Sequence, residues 1–246
     1  MGRKQNPNKI KETCYMCDMP ATTREHVPSQ GIFPEQKDLG RDYRKNLLSV
    51  PSCDVHNSKK STDDEYVQFL IASHYDNNPI AQKQFSTKIM RAIKRDPSKY
   101  RYIADNYPIV VNGQPSIAYS IDRDRFNKEI DHMARALYFL HNNSKLGLPI
   151  VVYTPDLFMG NQPNADVVNQ RMQEIEKMTT EAVSAQPIHG ENREIFFYQF
   201  RVLEEISSFV VRMVFYGGFV VIAYASPSVS QQSTFPLAAE DVKKME

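Results

Sequence analysis

The chain has 246 residues, of which 41% are hydrophobic and 24% charged, with a formal net charge of +1. That length can bury a sizeable core, and that balance excludes a disordered or fibrous chain. No apolar run approaches the roughly 20 residues that a membrane span needs. The polar start MGRKQNPNKIKE lacks the apolar stretch of a secretory signal, so a cytoplasmic protein without membrane contact is expected. The small net charge hides local asymmetry. Arg3, Lys4, Lys9 and Lys11 stand together without an acid, and residues 88–101 hold six basic residues against one Asp. Clusters of this kind either meet phosphates or lie solvated on a surface.

The first 60 residues are rich in turn formers and poor in periodic segments, so a small unit there needs a staple. A helix is predicted from around residues 53–57 through STDDEYVQFLIASHY, with Tyr66, Phe69, Leu70 and Ser73 on a partly apolar face. Asn77-Asn78-Pro79 breaks it, and a second helix, IAQKQFSTKIMRAIKR, stops before Asp96-Pro97. Residues 98–115 read as an irregular connection with one apolar piece, Ile109-Val110-Val111. IAYSID then reads as a strand. DRFNKEIDHMARALYFLHNN reads as an amphipathic helix, with Phe126, Ile130, Met133, Ala134 and Leu137 on its inner face. LPIVVYT is a strand of buried type. Residues 164–185 form a second amphipathic helix, with Val168, Met172, Ile175 and Met178 spaced for a core. IFFYQFRVL and SSFVVRMVFYGGFVVIAYAS read as strands, the latter with a hairpin turn at Gly217-Gly218, and the last twenty residues read as loose. The fold class is therefore α+β, with a C-terminal antiparallel sheet.

Three cysteines do not suit a disulfide framework, which wants an even set. All three lie in the first quarter of the chain, as Cys14-x2-Cys17 and as the first residue of Cys53-x2-His56. Two residues between ligands let a tight turn aim both side chains at one ion, and thiolate and imidazole both suit tetrahedral zinc. The competing reading is three buried free cysteines and a surface histidine, which need no such spacing.

Between the two knuckles stands Thr22-Thr23-Arg24-Glu25-His26-Val27-Pro28, followed by Asn46-Leu47-Leu48, and Asn57 follows His56 directly. The order Cys-x2-Cys, acid-His, Asn, Cys-x2-[Cys/His]-Asn resembles the HNH (ββα-metal) endonuclease superfamily. The nearest pattern is its zinc-stapled branch, which includes phage junction-resolving endonucleases. The resemblance covers residues 14 to about 66. It implies a small zinc-stapled ββα-metal module, which the α+β domain read from the later pattern follows. In that scheme Cys14, Cys17, Cys53 and His56 hold a structural Zn²⁺ outside the active site. Glu25 and Asn57 hold a catalytic Mg²⁺ or Mn²⁺, His26 acts as general base, and Asn46 holds the loop that carries the base. The chemistry agrees: a carboxylate and an amide carbonyl are oxygen ligands for a hard cation, and an imidazole titrates where a water-activating base must.

Several residues depart from the family pattern. Glu25 stands where Asp is usual, Asn57 where many members have His, and His56 where the second knuckle usually has Cys. Glu25 and His26 cannot both point inward on a regular strand, and Pro28 fits the irregular strand end that would be needed. The resemblance divides the chain into an HNH nuclease module (1–76), a helical connection (77–108) and an α+β accessory domain of unassigned role (109–246). DNA is the implied partner, RNA a further candidate, and the sequence leaves the oligomeric state open. A zinc-dependent nucleic-acid binding module without catalysis, or an interaction protein, would use the same knuckles. Asp63-Asp64-Glu65 reads as an acidic helix start rather than a second metal cluster. Lys59 and Lys60 either reach phosphates or lie exposed. His74, His132, His141 and His189 have no ligand-spaced partner and read as structural or surface residues, and the Phe126/Leu137 and Phe196/Tyr198/Phe200 stripes read as core.

Overall fold

The computed structural model describes residues 12–57, 61–103, 106–111, 113–157 and 164–229. The basic start with Arg3, Lys4, Lys9 and Lys11, the pair Lys59 and Lys60, and the C-terminal tail lie outside the described residues. Strand β1 (Thr23–His26) pairs antiparallel with β2 (Ser49–Ser52), Glu25 opposite Val50 and His26 opposite Ser49. The connection between them holds a cis Val27–Pro28 bond, a 3-10 turn (Gln30–Ile32) and the short helix α1 (Gln36–Leu39). Helix α2 (Ser61–Ala72) follows. Residues 53–57 are not the start of this helix, as the periodicity suggested, but a separate hydrogen-bonded turn, with His56 and Asn57 N–H groups both donating to the Cys53 carbonyl.

Asn78 caps the next helix, its Oδ1 accepting from the Ile80 and Ala81 N–H groups, with Pro79 in the first turn. That helix runs on as α3 (Pro79–Gln84), a π turn (Phe85–Ile89) and α4 (Met90–Arg95). A 3-10 segment (Pro97–Ile103) then leads to β3 (Asn106–Val111) and β4 (Gln114–Tyr119), paired with Pro108 opposite Ile117. This hairpin corrects the irregular connection expected over residues 98–115. Pro108 and Pro115 fit in it because a two-stranded ribbon has only edges, where a missing N–H is tolerated. Its turn carries Gly113 at positive φ, and the Asn-Gly pair at 112–113 was the available signal.

The C-terminal half follows the sequence reading closely. Helix α5 (Arg123–Asn142) starts at Asp122, whose side chain accepts from the Arg125 N–H, and ends on Asn143 in the left-handed region. Strand β5 (Ile150–Tyr153), helix α6 (Ala165–Val183) and strands β6 (Phe196–Leu203), β7 (Ser208–Phe215) and β8 (Phe219–Ala225) complete the chain. The sheet order is β5-β8-β7-β6, antiparallel throughout.

Strand alternation explains how this sheet is sandwiched. On β7 and β8 the odd-numbered residues, from Phe209 to Phe215 and Phe219 to Ala225, join the main core with α5 and α2. Val210, Val214, Val220, Ile222 and Tyr224 point the other way and pack with Met172, Ile175 and Val183 of α6. Central strand β8 is therefore buried along its whole length. On α6 the buried stripe is Met172, Ile175, Thr179 and Val183, while Val168 and Met178 are only half-buried.

The main core is continuous from Cys14 and Tyr15 through α2 and α5 to Ala225. Gly218 marks one of its tightest joints. A Cβ there would collide with the Asp76 carbonyl oxygen and lie 2.8 Å from the Asn77 nitrogen, both backbone atoms. We expect Gly218→Ala to cost roughly 2 kcal/mol or more, as overpacking against backbone does. Chemical denaturation checks this, and an unchanged midpoint would refute the close approach.

Candidate metal centre

The segment before β1 is held by backbone hydrogen bonds. The Cys14 N–H donates to the Met19 carbonyl, and the Tyr15 N–H donates to the Pro51 carbonyl at the end of β2. That second bond places the first knuckle beside the second. His56 Nδ1 lies 3.5 Å from Cys14 Sγ, 3.6 Å from Cys17 Sγ and 3.3 Å from Cys53 Sγ. The Cys17 and Cys53 sulfurs are 3.9 Å apart, and all four donor atoms lie within 4.8 Å of one another. A tetrahedron with Zn–S near 2.3 Å and Zn–N near 2.0–2.1 Å has edges of about 3.8 Å between sulfurs and about 3.6 Å from sulfur to nitrogen. The spacing of these side chains therefore fits a single ion. No disulfide links the three cysteines. The four residues form a Cys3His cluster that could hold a metal ion such as zinc.

The surroundings orient these ligands. The Met16 N–H donates to Cys14 Sγ at 3.4 Å, and Lys145 Nζ, just beyond α5, donates to the Cys17 carbonyl at 2.8 Å. Burial would raise the Cys14 thiol, but the backbone N–H groups of Met16, Cys53 and Cys17 outweigh it and hold it below its ordinary value. Burial keeps His56 below the ordinary imidazole value, which favours the neutral ligand form. The His132 ring meets the His56 ring edge-on, with centroids 6.1 Å apart.

Glu25 and His26 sit side by side on β1 and face opposite ways, because pairing stays regular through His26 opposite Ser49, so the irregular strand end expected at Pro28 does not turn both side chains to one face. Glu25 is only 5% exposed, and Ser52 Oγ donates to its Oε2 at 3.4 Å. His26 is half-buried on the other face, and desolvation holds its imidazole below the ordinary value, so it is neutral near pH 7. Asn57 is turned by its own amide: Nδ2 donates to Thr23 Oγ1 at 2.8 Å and to the Arg24 carbonyl at 3.4 Å. Asn46 is exposed, at φ 54°, in the turn that leads into β2, a backbone state that Asn tolerates better than most residues. The structure thus brings the four soft ligands together and sets Asn57 against β1. Among the described residues, Glu25 and His26 join no second cluster of three Cys, His, Asp or Glu ligand atoms.

Sequence reasoning missed the buried polar groups around Tyr15. Tyr15 is almost fully buried, and its phenol is raised far above the ordinary value by burial first and then by the charges of Glu25 and Glu129. Glu129 is 0% exposed, and its Oε1 lies 3.8 Å from His132 Nδ1 one turn along α5. The available signal was a Glu and a His, three residues apart, on the same side of α5 as Phe126, Ile130 and Met133. Asp63 pairs with Arg125 at 2.5 Å and Glu65 with Lys99 at 3.0 Å, consistent with an acidic helix start. His141 and His189 are neighbours in space, with ring centroids 4.6 Å apart, and His141 Nε2 lies 2.8 Å from Tyr198 Oη. Among the described residues no helix is long and apolar enough to cross a membrane. No family model, curated protein or solved structure matches the chain.

Proposed function

We propose that the N-terminal segment is a zinc-stapled HNH-type endonuclease that hydrolyses phosphodiester bonds in DNA. One observation carries this reading. A Cys3His cluster ties the strand pair β1–β2 together, the acid-His pair Glu25-His26 lies on β1, and Asn57 follows the last cluster ligand and hydrogen-bonds back to β1. In this reading zinc occupies Cys14, Cys17, Cys53 and His56 and keeps the strands in register.

Glu25 and Asn57 are the residues that would hold Mg²⁺ or Mn²⁺. Their donors fit: Glu25 offers a buried carboxylate, and the two bonds made by Asn57 Nδ2 turn its carbonyl oxygen away from Thr23 and Arg24. A bound divalent ion supplies neutralisation of charge on the scissile phosphate and on the leaving oxygen. The chain's own groups do the rest. Neutral His26 accepts the proton of a water molecule as the water oxygen bonds to phosphorus. The bond from phosphorus to the 3′ oxygen breaks, and that oxygen leaves as a hydroxyl once it takes a proton from solvent. Asn46, at the turn before β2, has the role of fixing the connection that starts at His26.

A second reading is favoured by the opposite facing of Glu25 and His26 on a regularly paired strand, which suits a zinc-dependent nucleic-acid binding module without catalysis. Incubation of purified protein with plasmid DNA and Mg²⁺ or Mn²⁺ separates the two. Cleavage by the wild type that His26→Ala loses supports the nuclease. Salt-dependent DNA binding without cleavage in either metal supports the binding module. Identical behaviour of wild type and His26→Ala on every substrate ends the catalytic assignment.

A further inference from the structure

The basic segment at residues 88–101 has no part in the reading above. Three of its cations, Lys88, Arg91 and Arg95, come together at a cavity of about 180 Å³ between α4, α2 and the β1–β2 connection. Lys37 lines it as well, and Glu35 and Glu65 are its carboxylates. These carboxylates are already matched. Glu35 lies within 4 Å of Lys37, Arg44 and Arg91, and Glu65 pairs with Lys99. Among the described residues neither Lys88 nor Arg95 has a carboxylate within ion-pair distance.

We propose that this cavity binds a phosphoryl group, held by Lys88, Arg95 and the Gln68 amide. Gln68 is 7% exposed, lines the cavity, and its Nε2 finds no acceptor among the described residues. Its Oε1 faces Lys88 Nζ at 3.5 Å, which fixes the amide with its N–H groups turned from the lysine. Lys88 Nζ donates to the Gly31 carbonyl at 2.7 Å, and this leaves ammonium protons for a further acceptor. Burial, and then the charge of Arg44, push Lys88 down to about 8, against the opposing pull of Glu35, Glu65 and Asp38, so its charge is only partly compensated. An ammonium and a guanidinium lining one space, with an unpartnered amide in its wall, suit an acceptor with several oxygens and negative charge. The π turn at Phe85–Ile89 places Lys88 here, and such turns recur at functional sites.

The shared chemistry, a phosphoryl oxyanion, comes either from a strand's internal phosphodiester or from a terminal phosphate. The test is calorimetric titration of the full chain with inorganic phosphate at low ionic strength, for wild type and Arg95→Gln. Arg95 is exposed at the rim, so its replacement leaves the fold intact, which thermal melting verifies. Lys88→Met and Gln68→Leu provide deeper variants. We expect phosphate to bind the wild type, and Arg95→Gln to weaken it about tenfold or more, as loss of a charge-assisted contact does. A dinucleotide with a 5′-phosphate, compared with the same dinucleotide lacking it, then identifies the source. Preference for the first assigns a terminal phosphate, and equal binding assigns the backbone. Absence of phosphate binding up to millimolar concentration, or binding that Arg95→Gln, Lys88→Met and Gln68→Leu all leave unchanged, overturns the proposal. The outcome is independent of whether His26 catalyses cleavage.

Discussion

Cys14→Ala is expected to abolish stoichiometric zinc and to unfold the region around β1 and β2. Cys14 is fully buried, and its sulfur lies 3.5 Å from His56 Nδ1, so its removal deletes one vertex of the cluster. Binding of structural zinc is worth on the order of 10 kcal/mol in small zinc modules near pH 7, and all of it counts as folding free energy. Whole domains are stable by about 5–15 kcal/mol. Loss of the ion therefore removes a large part of what holds this segment, where apolar residues are few. Cys14, Tyr15, Val27 and Val50 also belong to the main core, so the effect should spread beyond the knuckles. Metal analysis of the purified chain and thermal melting with and without a chelator are the measurements. Zinc well below one per chain in the wild type, or identical melting of Cys14→Ala, would remove the staple.

The second large effect is expected at His26. If it is the general base, His26→Ala should slow DNA cleavage by about 10²–10⁴-fold, the usual contribution of a positioned proton acceptor. The fold should be untouched, because the side chain is half-buried on the outer face of a short strand. Asn57→Ala should act differently. Its carbonyl oxygen is assigned to the ion, so the variant should need about 10–100-fold more Mg²⁺ or Mn²⁺ for half-maximal rate. Cleavage rates across a metal titration distinguish the two. A His26 variant repaired by extra metal, or an Asn57 variant indifferent to it, would reverse the roles.

Much of the fold was legible because local patterns agreed with tertiary packing. Phe126, Ile130, Met133, Ala134 and Leu137 recur at helical spacing and are all buried on α5. Gly217-Gly218 between two apolar strands marked the β7–β8 turn. The four soft ligands were legible because two residues between donors is a geometric requirement of the turn, whatever else the chain does. The β3–β4 hairpin was not read from the sequence, and its prolines are tolerated in a ribbon without inner strands. Long-range pairings left no sequence trace: Arg125 on Asp63, or Lys145 on the Cys17 carbonyl, join residues whose spacing carries no period. The surroundings of Tyr15 were hidden for the same reason, since Glu25 and Glu129 act on its phenol only through packing. Residues 88–101 were legible as charge, but not as a cavity, because Gln68 and Lys37 complete it from distant segments.

The connection between β1 and β2 is clasped by the far end of the chain. The Tyr216 hydroxyl donates to the Ile32 carbonyl, Asn192 Nδ2 donates to the Tyr43 carbonyl, and Arg41 pairs with Glu194. A segment gripped in this way is not a portable cassette. Grafted onto another protein, it would arrive with the Ile32 and Tyr43 carbonyls stripped of their donors. Recombination could pass it between proteins only together with the strands that grip it. Of these contacts the Arg41–Glu194 pair is the one in which a side-chain change on one side would call for a matching change on the other, since Ile32 and Tyr43 accept through their backbone carbonyls.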